Sequence, residues 1–207
     1  MSDFFKYSDI DPNKKAFVFE LDDVLFPEKD YLLQVYYLFS NFIEFTEGFP
    51  PAADMTEFMK NAYTHHGDSK IFDRVKQAFG IDEKYRGNLE RLYHSAVLPL
   101  KLLLYDDVLK FLQDIIVDRK QIFIITNGKP EVQINKIRQT EWNGLESYLK
   151  VYYARELNLK PEPDALSYIM KEQNLHRNEI LIVGANPTDS EFAASCGVDF
   201  LHVREIC

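Results

Sequence analysis

Phe17-Val18-Phe19-Glu20-Leu21-Asp22-Asp23-Val24 is the stretch on which the fold of this chain turns. From Ala16 to Leu21 the residues are apolar except for Glu20, and they follow the turn-forming Asp11-Pro12-Asn13. A short apolar run of this kind reads as a strand buried on both faces, as in a parallel sheet. Its carboxyl end carries Glu20, Asp22 and Asp23. In open parallel sheets that is the end at which ligands bind.

Downstream of the strand the periodicity changes. From Pro27 to about Leu98 the apolar residues recur at helical spacing, with Tyr31, Leu32, Val35, Tyr36, Phe39, Phe42 and Ile43 forming a broad stripe. Three more helices are expected there, over Met55–Tyr63, Ser69–Phe79 and Glu83–Ala96, broken at Gly67-Asp68 and Gly80-Ile81-Asp82. After Pro99 helix and strand alternate. The expected order is helix Tyr105–Ile116, strand Gln121–Thr126, helix Glu131–Gln139, strand Val151–Ala154, helix Asp164–Glu172, strand Ile180–Gly184, helix Ser190–Ser195 and strand Phe200–Val203. Alternation of this kind implies parallel strands joined by right-handed crossovers. The expected fold is therefore α/β, a doubly wound (Rossmann-like) parallel sheet, with residues 1–25 and 103–207 as the core domain and 26–102 as an inserted all-helical domain.

Bulk properties narrow the function. The 207 residues, 46% of them hydrophobic, allow one well-buried core, with roughly 70% of the unfolded surface removed from water. A formal charge of -9 makes a phosphate backbone a poor partner, so nucleic-acid binding is not expected. Cys196 and Cys207 support neither a disulfide framework nor a four-ligand zinc site. With no basic and apolar leader at Met1–Asp9 and no apolar run of membrane-spanning length, the expectation is a cytoplasmic protein that does not engage a membrane.

The four strand ends hold the chemistry. Carboxylates at i and i+2, Glu20 and Asp22, suit phosphoryl transfer, because one can attack phosphorus while the other protonates the leaving oxygen. Thr126, the amides around Asn127 and Gly128, and Lys160 fall at the other strand ends and can stabilise the oxyanion charge. A magnesium ion would draw its oxygen ligands from the same acidic ends.

Four segments in order, Phe17 to Phe26, Ile124-Ile125-Thr126-Asn127-Gly128, Lys160-Pro161-Glu162-Pro163 and Val183-Gly184-Ala185-Asn186-Pro187-Thr188-Asp189, resemble the motifs of the haloacid-dehalogenase-like superfamily. The helical insert between the first two looks like the cap of that superfamily's phosphatase branch. The resemblance implies a magnesium-dependent hydrolase of small phosphate esters, with Glu20 as nucleophile, Asp22 as general acid/base and Lys160 steadying both nucleophile and phosphoryl group. It assigns phosphate binding to Thr126, Asn127, Gly128 and Lys160, and metal binding to Glu20, Asp22 and Asp189. Two positions depart from the pattern, since the family has aspartate where this chain has Glu20 and Ala185. The extra methylene of glutamate moves the attacking oxygen out by ~1.5 Å, and a 1 Å misplacement costs about 100-fold in rate. Ala185 removes an anionic ligand. Activity and magnesium affinity are therefore expected to be weakened, and the alternative is a pseudo-phosphatase that binds a phosphorylated ligand or protein partner.

Plainer readings stand beside these. Asp23 reads as a solvated strand terminus. Thr126-Asn127-Gly128 and Lys160-Pro161 could each be a turn, with Gly128 supplying positive φ. His65-His66 reads as a solvated helix end, since adjacent side chains diverge on a helix. Most of the aromatic stripe from Tyr31 to Phe45 reads as core, and Cys196 as a small packed residue. Dehalogenation attacks carbon and has no use for the acid at Asp22. A two-component receiver domain lacks a long helical insert after its first strand. No Gly-rich nucleotide loop occurs. Oligomeric state is left open.

Overall fold

A computed structural model describes Lys6 to Ile206; expectations that touch Met1–Phe5 or Cys207 lie outside the described residues. In chain order its main elements are β1 (Ala16–Phe19), α1 (Glu28–Glu47), α2 (Ala52–His66), α3 (Ile71–Phe79), α4 (Arg86–Ser95), β2 (Leu102–Leu103), α5 (Asp106–Val117), β3 (Gln121–Thr126), α6 (Pro130–Gln139), β4 (Thr140–Glu141), β5 (Leu149–Tyr153), α7 (Asp164–Gln173), β6 (Ile180–Gly184), α8 (Pro187–Cys196) and β7 (Asp199–His202). They group into two compact units. One holds the chain up to Pro27, Leu103–Gln133 and the chain from Thr140 onward, and the other holds Glu28–Leu102 with Ile134–Gln139.

The first unit is built on a five-stranded sheet in the order β5-β3-β1-β6-β7. Every pairing in it is parallel, with Val18 level with Phe123 on one side and Ile182 on the other. The fold is thus the α/β doubly wound architecture expected. Its central strand shows why β1 reads as a continuous apolar run: alternate residues feed two different cores. Ala16 and Val18 pack with Phe123, Ala165, Leu166, Ile169, Ile182 and Phe192. Phe17 and Phe19 point the other way, each edge-on to Phe111 of α5. The helix after β6 starts three residues before the expected Ser190. Pro187 suits the first turn, where no N–H is needed, and Asn186 and Asp189 cap each other's backbone.

The second unit is helical. Tyr31, Leu32, Val35, Tyr36, Phe39 and Ile43 of the α1 stripe are buried, with Phe39 against Phe72 and Tyr36 against Tyr63. Phe45, at the end of the stripe, is 92% exposed. Gly67 and Gly80 close α2 and α3 with positive φ, as the breaks in the sequence imply. Ile134–Gln139 belong here through polar bonds that apolar periodicity does not register. The Asn135 amide donates to the Tyr31 hydroxyl and to the Ala96 carbonyl, both at 3.0 Å, and Lys136 pairs with Glu28. Among the described residues, no helix is long and apolar enough to cross a membrane.

Candidate functional site

The carboxyl ends of β1, β3 and β6 lie side by side in the sheet, so the chain segments leaving them share one neighbourhood. Glu20 follows β1 directly and still donates its N–H to the Val183 carbonyl at 3.2 Å. The chain then turns, with the Leu25 N–H on the Leu21 carbonyl and Asp23 at φ 58. Aspartate tolerates that left-handed conformation better than most residues. Asp23 is exposed, in keeping with a solvated terminus, while Asp22 is half-buried.

Lys160 is the hub. It is buried, and its ammonium donates to Glu20 Oε2 and to Asp189 Oδ1, each at 2.5 Å. Lys160-Pro161 does lie in a turn, closed by the Glu162 N–H on the Leu159 carbonyl at 3.0 Å, and Pro161 is exposed, but the Lys160 side chain is buried rather than at the surface. The other Glu20 oxygen accepts the Leu21 N–H at 2.7 Å. Asp189 Oδ2 accepts the N–H groups of Ala185 (3.0 Å) and Asn186 (3.3 Å). Burial raises the Glu20 carboxyl above the ordinary glutamate range, against the opposing pull of Lys160, the Thr126 hydroxyl and the Leu21 amide. Burial alone would lower Lys160, but the charges of Glu20 and Asp189 outweigh it and raise its pKa. One ammonium thus faces two carboxylates, and the trio carries a net negative charge whenever Glu20 is ionised.

Asn127 takes a different part from the phosphate contact the resemblance implies. Its side chain bonds the backbone of Lys160 twice, donating to the carbonyl at 3.0 Å and accepting the N–H at 2.8 Å. What it does is seat Lys160, while its main-chain carbonyl accepts from Arg155 Nε at 3.1 Å. Gly128 is not among the positive-φ glycines, so its role is not a left-handed turn. A Cβ on it would lie 2.4 Å from the Gln133 side chain. Gly184 is the counterpart, since a Cβ there would lie 2.3 Å from the Asp189 Cβ. At both strand ends glycine leaves room for a side chain folded back from the next helix.

Gln133 is the residue that sequence reading missed. It is 1% exposed, and its amide nitrogen bonds Asp22 Oδ2 at 2.8 Å and Thr126 Oγ1 at 2.7 Å. No motif marks it. The signal available was a polar residue where α6 turns an inward face toward the sheet. Glu20, Asn127, Lys160, Asn186, Pro187, Thr188 and Asp189 line a cavity of about 280 Å³. Thr188 and Pro187 enter it because α8 begins at the mouth.

The donor set does not fit the magnesium ion implied by the resemblance. Both carboxylates nearest the nucleophile position are held by Lys160, Asp22 is held by Gln133, and Ala185 offers no side-chain oxygen. Among the described residues, no three His, Cys, Asp or Glu side chains are grouped so as to hold a metal. The expected set of Glu20, Asp22 and Asp189 is therefore not assembled as ligands. His65 and His66 are exposed at the end of α2. Cys196 is buried, and burial raises its thiol pKa.

Comparison with known proteins bears on this geometry. A family described as haloacid dehalogenase-like hydrolase matches residues 17–203. Among solved structures, the chain is similar to a putative haloacid dehalogenase-like hydrolase from Bacteroides fragilis, with a TM-score of 0.57, 16% identity, and 90% of this chain and 86% of that one covered. It is also similar to a putative beta-phosphoglucomutase from Thermotoga maritima, with a TM-score of 0.63, 16% identity, and 89% and 82% covered. A defluorinating L-2-haloacid dehalogenase matches with a TM-score of 0.59, 16% identity, and 91% and 82% covered. Identities this low carry the fold and not the substrate. No curated protein matches the sequence significantly.

Proposed function

We propose that this chain, which belongs to the haloacid dehalogenase-like hydrolases, takes phosphate monoesters as its substrate class and hydrolyses them weakly. The observation that carries this reading is Asp22. It sits two residues beyond Glu20 and is bonded through Gln133 to Thr126, the hydroxyl beside the nucleophile position. An acid held there is of use when an alkoxide leaves and needs a proton. It has no task when halide leaves from carbon.

In the reaction so read, a Glu20 oxygen attacks phosphorus and the ester oxygen departs with the Asp22 proton. Water then hydrolyses the acyl phosphate, with Asp22 taking the proton back. Lys160 and Thr126 stabilise charge on the phosphoryl oxygens. The extra methylene of glutamate carries the attacking oxygen ~1.5 Å beyond the place an aspartate would hold it, and Ala185 removes a ligand that a divalent cation would use. Weak turnover follows.

Reversion is the test. A folded Glu20→Asp/Ala185→Asp double variant, assayed with magnesium on a broad panel of phosphate monoesters, is expected to gain at least tenfold in kcat/KM over wild type. No gain on any member of the panel overturns the reading. A second reading, a pseudo-phosphatase that binds a phosphorylated ligand or protein partner, is favoured by the ion-paired state of Glu20, which spends the nucleophile on Lys160. Under it the wild type binds phosphorylated compounds, as read by thermal shift, with no turnover at all.

A further inference from the structure

Gln133, which joins Asp22 to Thr126, is a buried polar group that takes no part in bond making or breaking. Gln133 lies on α6, four residues beyond Lys129, to whose carbonyl its N–H is bonded at 3.0 Å. Its side chain is buried and reaches back under the β3 end. The amide nitrogen faces Asp22, whose Oδ2 accepts from it. That nitrogen carries two hydrogens and has two acceptors in reach, Asp22 Oδ2 at 2.8 Å and Thr126 Oγ1 at 2.7 Å.

The consequence falls on the direction of the Thr126 proton. A hydroxyl has one hydrogen and two lone pairs. Gln133 fills one lone pair, and the Gly128 N–H approaches the same oxygen at 3.4 Å. The hydroxyl hydrogen is left to point away from both, and in the free protein it serves Glu20. Thr126 is thereby fixed as a donor toward the nucleophile side. Independent support comes from Gly128. Its missing Cβ is what lets the Gln133 carboxamide lie there, because a methyl group would come within 2.4 Å of it.

We propose that Gln133 is a positioning residue of this site. Its carboxamide bridges Asp22 and Thr126, keeping the acid in place and the Thr126 hydroxyl turned to donate to a phosphoryl oxygen. This rests on the phosphate-ester reading given above.

The test reads inorganic phosphate affinity by titration calorimetry, with melting temperature measured in parallel. Gln133→Met keeps the length of the side chain and removes both donors. It is expected to fold and to weaken phosphate binding about tenfold, as loss of one or two hydrogen bonds implies. Thr126→Val weakens binding at least as much. The Gln133→Met/Thr126→Val double variant is expected to be no weaker than Thr126→Val alone, since Gln133 acts through that hydroxyl. Gly128→Ala, which drives the carboxamide away, is expected to resemble Gln133→Met. If Gln133→Met does not fold, Gln133→Leu, also without donors and without charge, takes its place in the cycle. A folded Gln133 variant that binds phosphate as tightly as wild type overturns the proposal, and so do penalties that simply multiply in the double variant. Failure of the wild type itself to bind phosphate overturns the phosphate-ester reading and this inference with it, and is recognised before any substitution is made.

Discussion

Lys160 brings one positive charge to a place where two buried carboxylates meet it, and the balance among these three groups governs both stability and anion binding. Removing the lysine leaves Glu20 and Asp189 buried without a cation. Lys160→Met is therefore expected to lose ~3–5 kcal/mol of unfolding free energy, measured by urea denaturation. Removing Glu20 has the opposite sign, because the remaining pair of Lys160 and Asp189 is neutral. Burial raises the Glu20 pKa above the ordinary glutamate value, so the folded chain holds that proton more tightly than the unfolded one. Stability from this group is present below the ordinary value and is lost as pH rises through the raised one. Glu20→Gln does not titrate, so its stability relative to wild type is expected to be greater at pH 8 than at pH 5. A gap that narrows toward pH 8 would contradict the raised value. In the sequence, Glu20, Lys160 and Asp189 are recognisable as a set by their order. That the lysine neutralises the acids, and that Asn127 spends its side chain on the Lys160 backbone, depends on distances no spacing conveys.

The elements that deliver the site share one device: a helix that starts at a strand end and returns a side chain over a glycine. Asp189 returns from α8 over Gly184, and Gln133 from α6 over Gly128. Gly184→Ala is expected to cost ~1–3 kcal/mol, because the new methyl meets a side chain tied to two backbone amides and Lys160 and unable to yield. Gly87, inside α4, is the contrast. Its nearest neighbour to an added Cβ is 3.9 Å away, so Gly87→Ala is expected to stabilise by about 0.5–1 kcal/mol. Melting curves of the two variants, which should move in opposite directions, check both. The position of most elements is legible from periodicity, since β3 and β6 form over Gln121–Thr126 and Ile180–Gly184 as expected. What local pattern does not convey is the reason for a glycine. Asn127-Gly128 has the composition of a turn, yet Gly128 is demanded by a side chain five positions later.

Across the whole molecule, apolar burial separates residues that look alike in composition. Phe19 is fully buried at the centre of the sheet, whereas Phe45 is 92% exposed on α1. Phe19→Ala is expected to lose ~3–5 kcal/mol and Phe45→Ala less than about 0.5 kcal/mol, again by urea denaturation. The sequence by itself determined the alternation of strand and helix, the helical insert and the order of the acidic, hydroxyl and lysine positions. These follow from hydrophobic period and chain order, which are properties of the string. Only the tertiary structure decided which carboxylate meets the lysine, that Gln133 joins Asp22 to Thr126, and that Glu20, Asp22 and Asp189 do not gather as metal ligands. The reason is physical: those outcomes depend on which side chains meet when β1, β3 and β6 lie side by side. The contacts of Glu20 with Lys160 and of Asp22 with Gln133, each joining residues more than a hundred positions apart, are created by folding and leave no local trace.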